Sequence, residues 1–220
     1  DAPGSFVAMP GYEWSGNTAL GGDRNVYFQN EGRIIRRSSH ALIEDQTTAD
    51  TDCTTAGELF EAFAENGEFD VVCYAHCGGR YADIGVAHDG RFEKSVEVHS
   101  SWGTFEWLLH DAFKLGYRVG VVCNSDGHKG RPGASYPGAG KFGAIGGLTC
   151  FSTAELSRAA LLDCMRKRRH YGTTGGDGGR MVLRMDAAFE GEGTLYHDDP
   201  ALMDSTSVAT RSATMGDIVN

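Results

Sequence analysis

Basic residues are scarce in this chain. Twenty Lys and Arg stand against thirty Asp and Glu, a formal net charge of -10. That argues against a nucleic-acid surface, because a phosphate backbone demands a Lys/Arg excess. It does not exclude a phosphorylated small molecule, since a bound metal reverses the local sign of charge. No apolar run approaches the ~20 residues of a membrane span. No G-x-x-x-x-G-K-[ST] sequence is present, which argues against an ATP-type phosphate loop. There are no repeats and no low-complexity tracts. None of the six cysteines forms the C-x-x-C pairs of a zinc ribbon, and the chain is too long to need a disulfide framework. Cys73, Cys123, Cys150 and Cys164 lie in apolar runs and read as buried thiols.

Glycine is abundant, at 31 of 220 residues, and clusters beside polar residues as it does in tight functional loops. With 40% hydrophobic residues the chain can build a core for one large domain or two small ones. Residues 5–9 read as a strand closed by Pro10-Gly11, and 25–28 as a short one. Thr55-x-x-Glu58 is a capping box that opens a helix to about Asn66, with Leu59, Ala62 and Phe63 as its apolar stripe. The runs 70–75, 95–100 and 118–123 read as strands. Between the last two, Phe105, Leu108, Leu109, Ala112 and Phe113 have helical spacing, and Gly116 stops that helix. A strand at 148–151 precedes a helix capped by Ser152 and carrying Leu156, Ala159, Ala160 and Cys164. Its last turn, 166–169, is basic, and a strand at 171–174 follows. Beyond residue 180 the pattern weakens, with 181–185 as one more strand and 205–220 without period. The division expected is therefore 1–180 and a C-terminal extension, 181–220. Strands alternating with amphipathic helices predict an α/β fold with a parallel sheet, whose site lies at the C-terminal strand ends.

The polar chemistry falls at those ends. Asp126-Gly127-His128 puts a carboxylate and an imidazole two residues apart after a buried strand, with Gly127 letting the backbone bend toward an ion. Taken alone it reads equally as a turn-capping Asp beside an exposed His. His76 closes the apolar run DVVCYA and is either a ligand or a satisfied core histidine. Glu13, between Tyr12 and Trp14, is either a ligand or the partner of a nearby arginine, since burying an isolated charge is costly. Together these groups would repel one another without a cation. A divalent metal, one to three of Zn, Mn or Fe, resolves that and lowers the pKa of a bound water to roughly 7.

At this point the chain resembles the PHP superfamily of metal-dependent phosphoesterases, named for its polymerase and histidinol phosphatase members. The resemblance lies in GYEWSGN (11–17), GGDRNVYF (21–28), AHCGGRYADI (75–84), SVEVHSSWGTFEWLLHDA (95–112), GYRVGVVCNSDGHKGRPG (116–133) and RRHYGTTG (168–175). It implies a distorted (β/α) barrel with two or three divalent metals at the strand C-termini. Glu13 matches the bridging carboxylate, His76 the mid-chain ligand, and Asp126 and His128 the final D-x-H pair. The superfamily's opening H-x-H motif and a later histidine have no counterpart here. Either a segment preceding Asp1 carries them, making the barrel incomplete at its N-terminus, or this form binds fewer metals. Asp23 stands where many relatives place a histidine and is a further candidate ligand.

Arg80, His99 and Arg131 are the candidate catalytic groups, and Lys129 and Arg24 the candidate substrate-binding groups. Arg80, Lys129 and Arg131 flank the metal motifs, and arginine grips phosphate bidentately. Each could instead be a solvated loop cation, and His99 a hydrogen-bonded buried histidine. Trp102 and Trp107 read as packing, and His40, His88, His110 and His197 as surface or structural. The Gly-rich loops 130–147 and 172–179 could cradle an anion through backbone N–H groups. The expected activity is hydrolysis of a small phosphorylated substrate. The alternatives are amide or lactone hydrolysis with the same metal chemistry, and a non-catalytic fragment or binding module that keeps the fold.

Overall fold

The computed structural model describes residues 2, 4–130, 145–174 and 181–220. Its centre is a six-stranded mixed sheet of β1 (Gly11–Trp14), β2 (Arg24–Tyr27), β3 (Val72–Ala75), β4 (Glu93–Ser100), β5 (Gly103–Thr104) and β6 (Gly120–Cys123). β1, β2 and β3 pair antiparallel, whereas β4 is parallel to both β3 and β6. Consequently β1, β3, β4 and β6 all run the same way and deliver their C-terminal ends to one edge.

This architecture corrects the expectation of a (β/α) barrel. A barrel needs each parallel neighbour joined through a helix and the sheet closed on itself. Here only the β4–β6 crossover carries a helix, α2 (Glu106–Lys114). Helix α1 (Ala56–Glu65) lies between the antiparallel strands β2 and β3, and the β3-to-β4 connection contains no helix. Among the described residues the path of the sheet ends at β1, which pairs with β2 alone.

Side-chain alternation along β3 builds two faces. Cys73 joins Trp14 and Val26 against Ala56, Leu59, Phe60 and Phe63 of α1, and Ala75 joins Val96 against Leu108 and Ala112 of α2. Val72 and Tyr74 face the other way, with Val122, and are covered by Leu162 and Met165 of α3 (Arg158–Arg166). Full burial of each large apolar side chain is worth about 1.5–3 kcal/mol. The start of α1 is set by the expected capping box: Thr55 accepts from the Glu58 N–H, and Glu58 reaches back to the Thr55 N–H.

Several boundaries differ from the sequence reading. The first strand is 11–14 rather than 5–9, because pairing with β2 fixes its register, and Phe6 stays exposed. The third helix begins at Arg158 behind the cap Ser157, not after Ser152. Residues 181–185 form no strand. Instead β9 (Asp186–Tyr196), β10 (Ser207–Thr214) and β11 (Ile218–Val219) make a separate antiparallel sheet. Its strands are largely exposed, so backbone pairing rather than an apolar face defines them. β7 (Leu148–Phe151) and β8 (His170–Thr173) form a hairpin. Among the described residues no helix is long and apolar enough to cross a membrane.

His170 fastens this hairpin to the central sheet. Its Nε2 lies 2.8 Å from Ser95 Oγ, and its Nδ1 faces the Cys164 carbonyl. Burial, reinforced by the Arg168 charge, lowers its pKa from 6.5 to about 4. The unfolded chain therefore takes up the proton first as pH falls. The contribution of His170 to stability is full above about pH 6.5 and falls by about 3 kcal/mol between there and pH 4. His170→Gln should flatten that part of the acid-unfolding curve relative to wild type. An unchanged slope between pH 6.5 and 4 would show that His170 is not the group responsible.

Candidate metal centre

Three strands running in one direction place three ligand-type side chains together. Glu13 lies on β1, His76 immediately follows β3, and Asp126 follows β6. One ligand atom from each lies within 4.8 Å of the others. That is close to the span of two metal–ligand bonds of about 2.0–2.2 Å. His76 Nε2 is 3.7 Å from Glu13 Oε2 and 3.6 Å from Asp126 Oδ2.

Each of these side chains is oriented by a further contact. The His76 Nδ1 side hydrogen-bonds to Glu97 Oε2, which turns Nε2 toward the two carboxylates. Glu97 is fully buried on β4. It also accepts from the Cys77 N–H at 2.9 Å and from Asn124 Nδ2 at 2.9 Å. Asn124 Nδ2 donates in addition to Tyr74 Oη, which is 2.9 Å from Tyr27 Oη. Trp102 Nε1 donates to Asp126 Oδ2 at 2.5 Å, and Ser15 Oγ donates to Glu13 Oε1 at 3.1 Å. A histidine held by a carboxylate on one nitrogen and offering the other is the usual environment of a metal ligand.

The space in front of Nε2 is kept open by Gly78. A Cβ at that position would lie 2.7 Å from His76 Nε2 and 3.4 Å from Asp126 Oδ2, where a cation would sit. The backbone bend in the Asp126-Gly127-His128 turn belongs to Asp126 itself, at φ 45°, and not to Gly127. A non-Gly residue in this region is a strained conformation of the kind that gathers at functional sites.

The charges follow from this crowding. Burial opposes a proton on His76, but Asp126, Glu97 and Glu13 outweigh it and raise its pKa to about 10. Burial also works against the Asp126 carboxylate, yet His76, Trp102 and His128 together hold its pKa below the ordinary value. Asp23 is nearby, its carbonyl accepting from the His76 N–H at 3.1 Å. Burial raises its carboxyl to about 6, against the pull of Arg80. Its Oδ1 lies 3.4 Å from Arg80 Nε without hydrogen-bond geometry. It is a neighbour of the three-residue cluster and not a member of it.

Other expected residues fall outside the cluster. His128 is exposed beside it, with Nδ1 2.8 Å from the Asp126 carbonyl and 3.7 Å from Asp126 Oδ1. His99 has both ring nitrogens engaged, Nδ1 with Thr104 Oγ1 at 2.8 Å and Nε2 with the Ile145 carbonyl at 2.6 Å. That pairing turns both nitrogens away from the three-residue cluster, the hydrogen-bonded buried histidine of the alternative reading. Arg24, expected among the substrate-binding groups, also lies outside the cluster. It is fully buried, ion-paired with Glu93, and donates to the carbonyls of Gly21 and Ala87. Arg80 is half-exposed at the rim, Lys129 is exposed in the turn beyond His128, and Arg131 lies outside the described residues.

Glu97 and Trp102 are the residues that sequence reasoning missed. Glu97 did leave a signal, since an acid between Val96 and Val98 on a buried strand requires partners. Trp102 left none. Compared with models of known protein families, with curated proteins and with solved structures, the chain gives no match.

Proposed function

We propose that this chain carries a metal-dependent hydrolase site of the PHP phosphoesterase kind, set on an open mixed sheet, and that its substrate is a small phosphate ester. The convergence of Glu13, His76 and Asp126 from three strand ends, with Glu97 behind the histidine, is the observation that supports this reading. The donor set of one imidazole and two carboxylates suits Zn, Mn or Fe. When bound, such a cation supplies a water of lowered pKa and a Lewis acid for a phosphoryl oxygen. The protein's own part is positional. Glu97 fixes the tautomer and direction of His76, Trp102 holds Asp126, and Gly78 leaves the approach clear. Arg80 stands at the rim, where a guanidinium grips phosphate oxygens.

The test is turnover of p-nitrophenyl phosphate by the full chain supplied with Zn, Mn or Fe. Chelation should abolish turnover, metal should restore it, and inorganic phosphate should inhibit competitively. An amidase or lactonase at this site would ignore inorganic phosphate. Turnover that survives chelation would overturn the metal-dependent reading.

A further inference from the structure

A second concentration of charge lies at the other end of the sheet. A cavity of about 200 Å³ opens between the basic turn that ends α3 and the β9–β11 sheet. Lys94 enters it from the start of β4, and Arg166 and Arg168 from the turn. We propose that this cavity is a binding site for a phosphate-bearing small molecule, distinct from the Glu13–His76–Asp126 cluster.

The cations are held in place and short of counter-charge. Lys94 is 6% exposed, and its Nζ donates to the Gly90 carbonyl at 2.6 Å. Arg166 donates to the Asp70 carbonyl, and Arg168 to the Gly216 carbonyl at 3.2 Å. Among the described residues none of the three has a carboxylate within ion-pair distance. Two of the acids around the cavity already carry an ion pair: Asp199 with Arg118, and Asp217 with Arg169, which also lines it. Asp198, itself 2.9 Å from His197, and Asp199 offset them in part. The repulsion is felt by the groups themselves. Burial and the neighbouring Arg168 and Arg166 lower the Lys94 ammonium to about 8, and burial lowers Arg168 as well. A cluster of like charges partly withdrawn from water is costly without a partner, and an anion supplies one.

The backbone is committed to this arrangement. Arg168 adopts φ 56°, which a non-Gly residue rarely takes. Opposite it, Gly216 at φ 95° lies so close to the Lys167 carbonyl that no Cβ would fit, which clamps the β10–β11 turn onto the end of α3. Leu195, Val208 and Ile218 line the rest, giving an organic portion of the ligand somewhere apolar to rest. Guanidinium groups favour phosphate because its oxygens accept several charge-assisted hydrogen bonds at once.

The experiment is calorimetric titration of inorganic phosphate into the full chain carrying Asp126→Asn, at constant ionic strength, with acetate as control. That background keeps phosphate at the proposed hydrolase site out of the measurement. Saturable binding of roughly one phosphate per chain is expected, weakened about tenfold or more by adding Lys94→Met or Arg168→Gly. Glycine accepts the positive φ at 168, and methionine keeps the stem of Lys94, so these variants should stay folded, which melting curves will check. Lys94→Arg should retain binding. Absence of saturable binding, or binding indifferent to both substitutions, would overturn the site. Equal binding of acetate would overturn its preference for phosphate. Neither result bears on whether the chain hydrolyses p-nitrophenyl phosphate.

Discussion

Asp126→Asn is expected to remove at least one equivalent of bound divalent metal and, with it, measurable phosphatase turnover, while leaving the fold intact. The choice of asparagine follows from the backbone. Position 126 sits at φ 45°, a region that Asn and Asp tolerate and most other residues resist. Asparagine also keeps an oxygen for the Trp102 indole N–H, which donates at 2.5 Å. What is lost is the negative charge 3.6 Å from His76 Nε2. Elemental analysis of wild type and variant, purified side by side, reads the result directly. A variant that keeps the full metal load would show that Asp126 is no ligand. A variant that has lost metal together with its cooperative melting transition would trace the loss to unfolding.

Glu97→Gln should weaken metal binding by about 10–100-fold, the usual effect of removing a ligand's hydrogen-bonded support. The reason is the pattern of donors around this side chain. His76 Nδ1, the Cys77 N–H and Asn124 Nδ2 all direct hydrogens at it. A glutamine oxygen can serve His76 and Cys77, but its NH2 then faces the Asn124 amide nitrogen. Unless Asn124 flips and the Thr149 and Tyr74 hydroxyls, which now bond its Oδ1 and Nδ2, both reverse their hydrogen bonds, the two NH2 groups face each other. One buried donor is left without an acceptor, at a cost of about 1–3 kcal/mol in stability. Metal titration and denaturant unfolding of the same preparation separate the two effects. A purely structural Glu97 would lower stability and leave the metal affinity of the folded protein unchanged.

The parts of this molecule legible in the sequence are those fixed by local chemistry. The capping box at Thr55 predicted the start of α1 because it needs only residues three apart. The buried runs ending at His76 and Asn124 were legible because continuous apolarity marks a strand covered on both faces. Glu13, His76 and Asp126 were identifiable for the same reason, as polar groups just past or within such runs. Less legible was the sheet of β9, β10 and β11, whose strands lack an apolar face. These strands are recognised by one another's backbone, and no periodicity announces that.

Residue types and their order along the chain determined which side chains were chemically able to hold a cation. Tertiary structure decided which of them meet. Strand pairing in mixed rather than parallel order set an open sheet where the sequence suggested a closed barrel. It also turned His99 toward Thr104 and Ile145, and buried Arg24 against Glu93. The physical reason is range: caps, periodicity and burial act within a few residues. The positions of Glu97 behind His76 and of Lys94 beside Arg168 depend on register between strands and loops far apart in sequence.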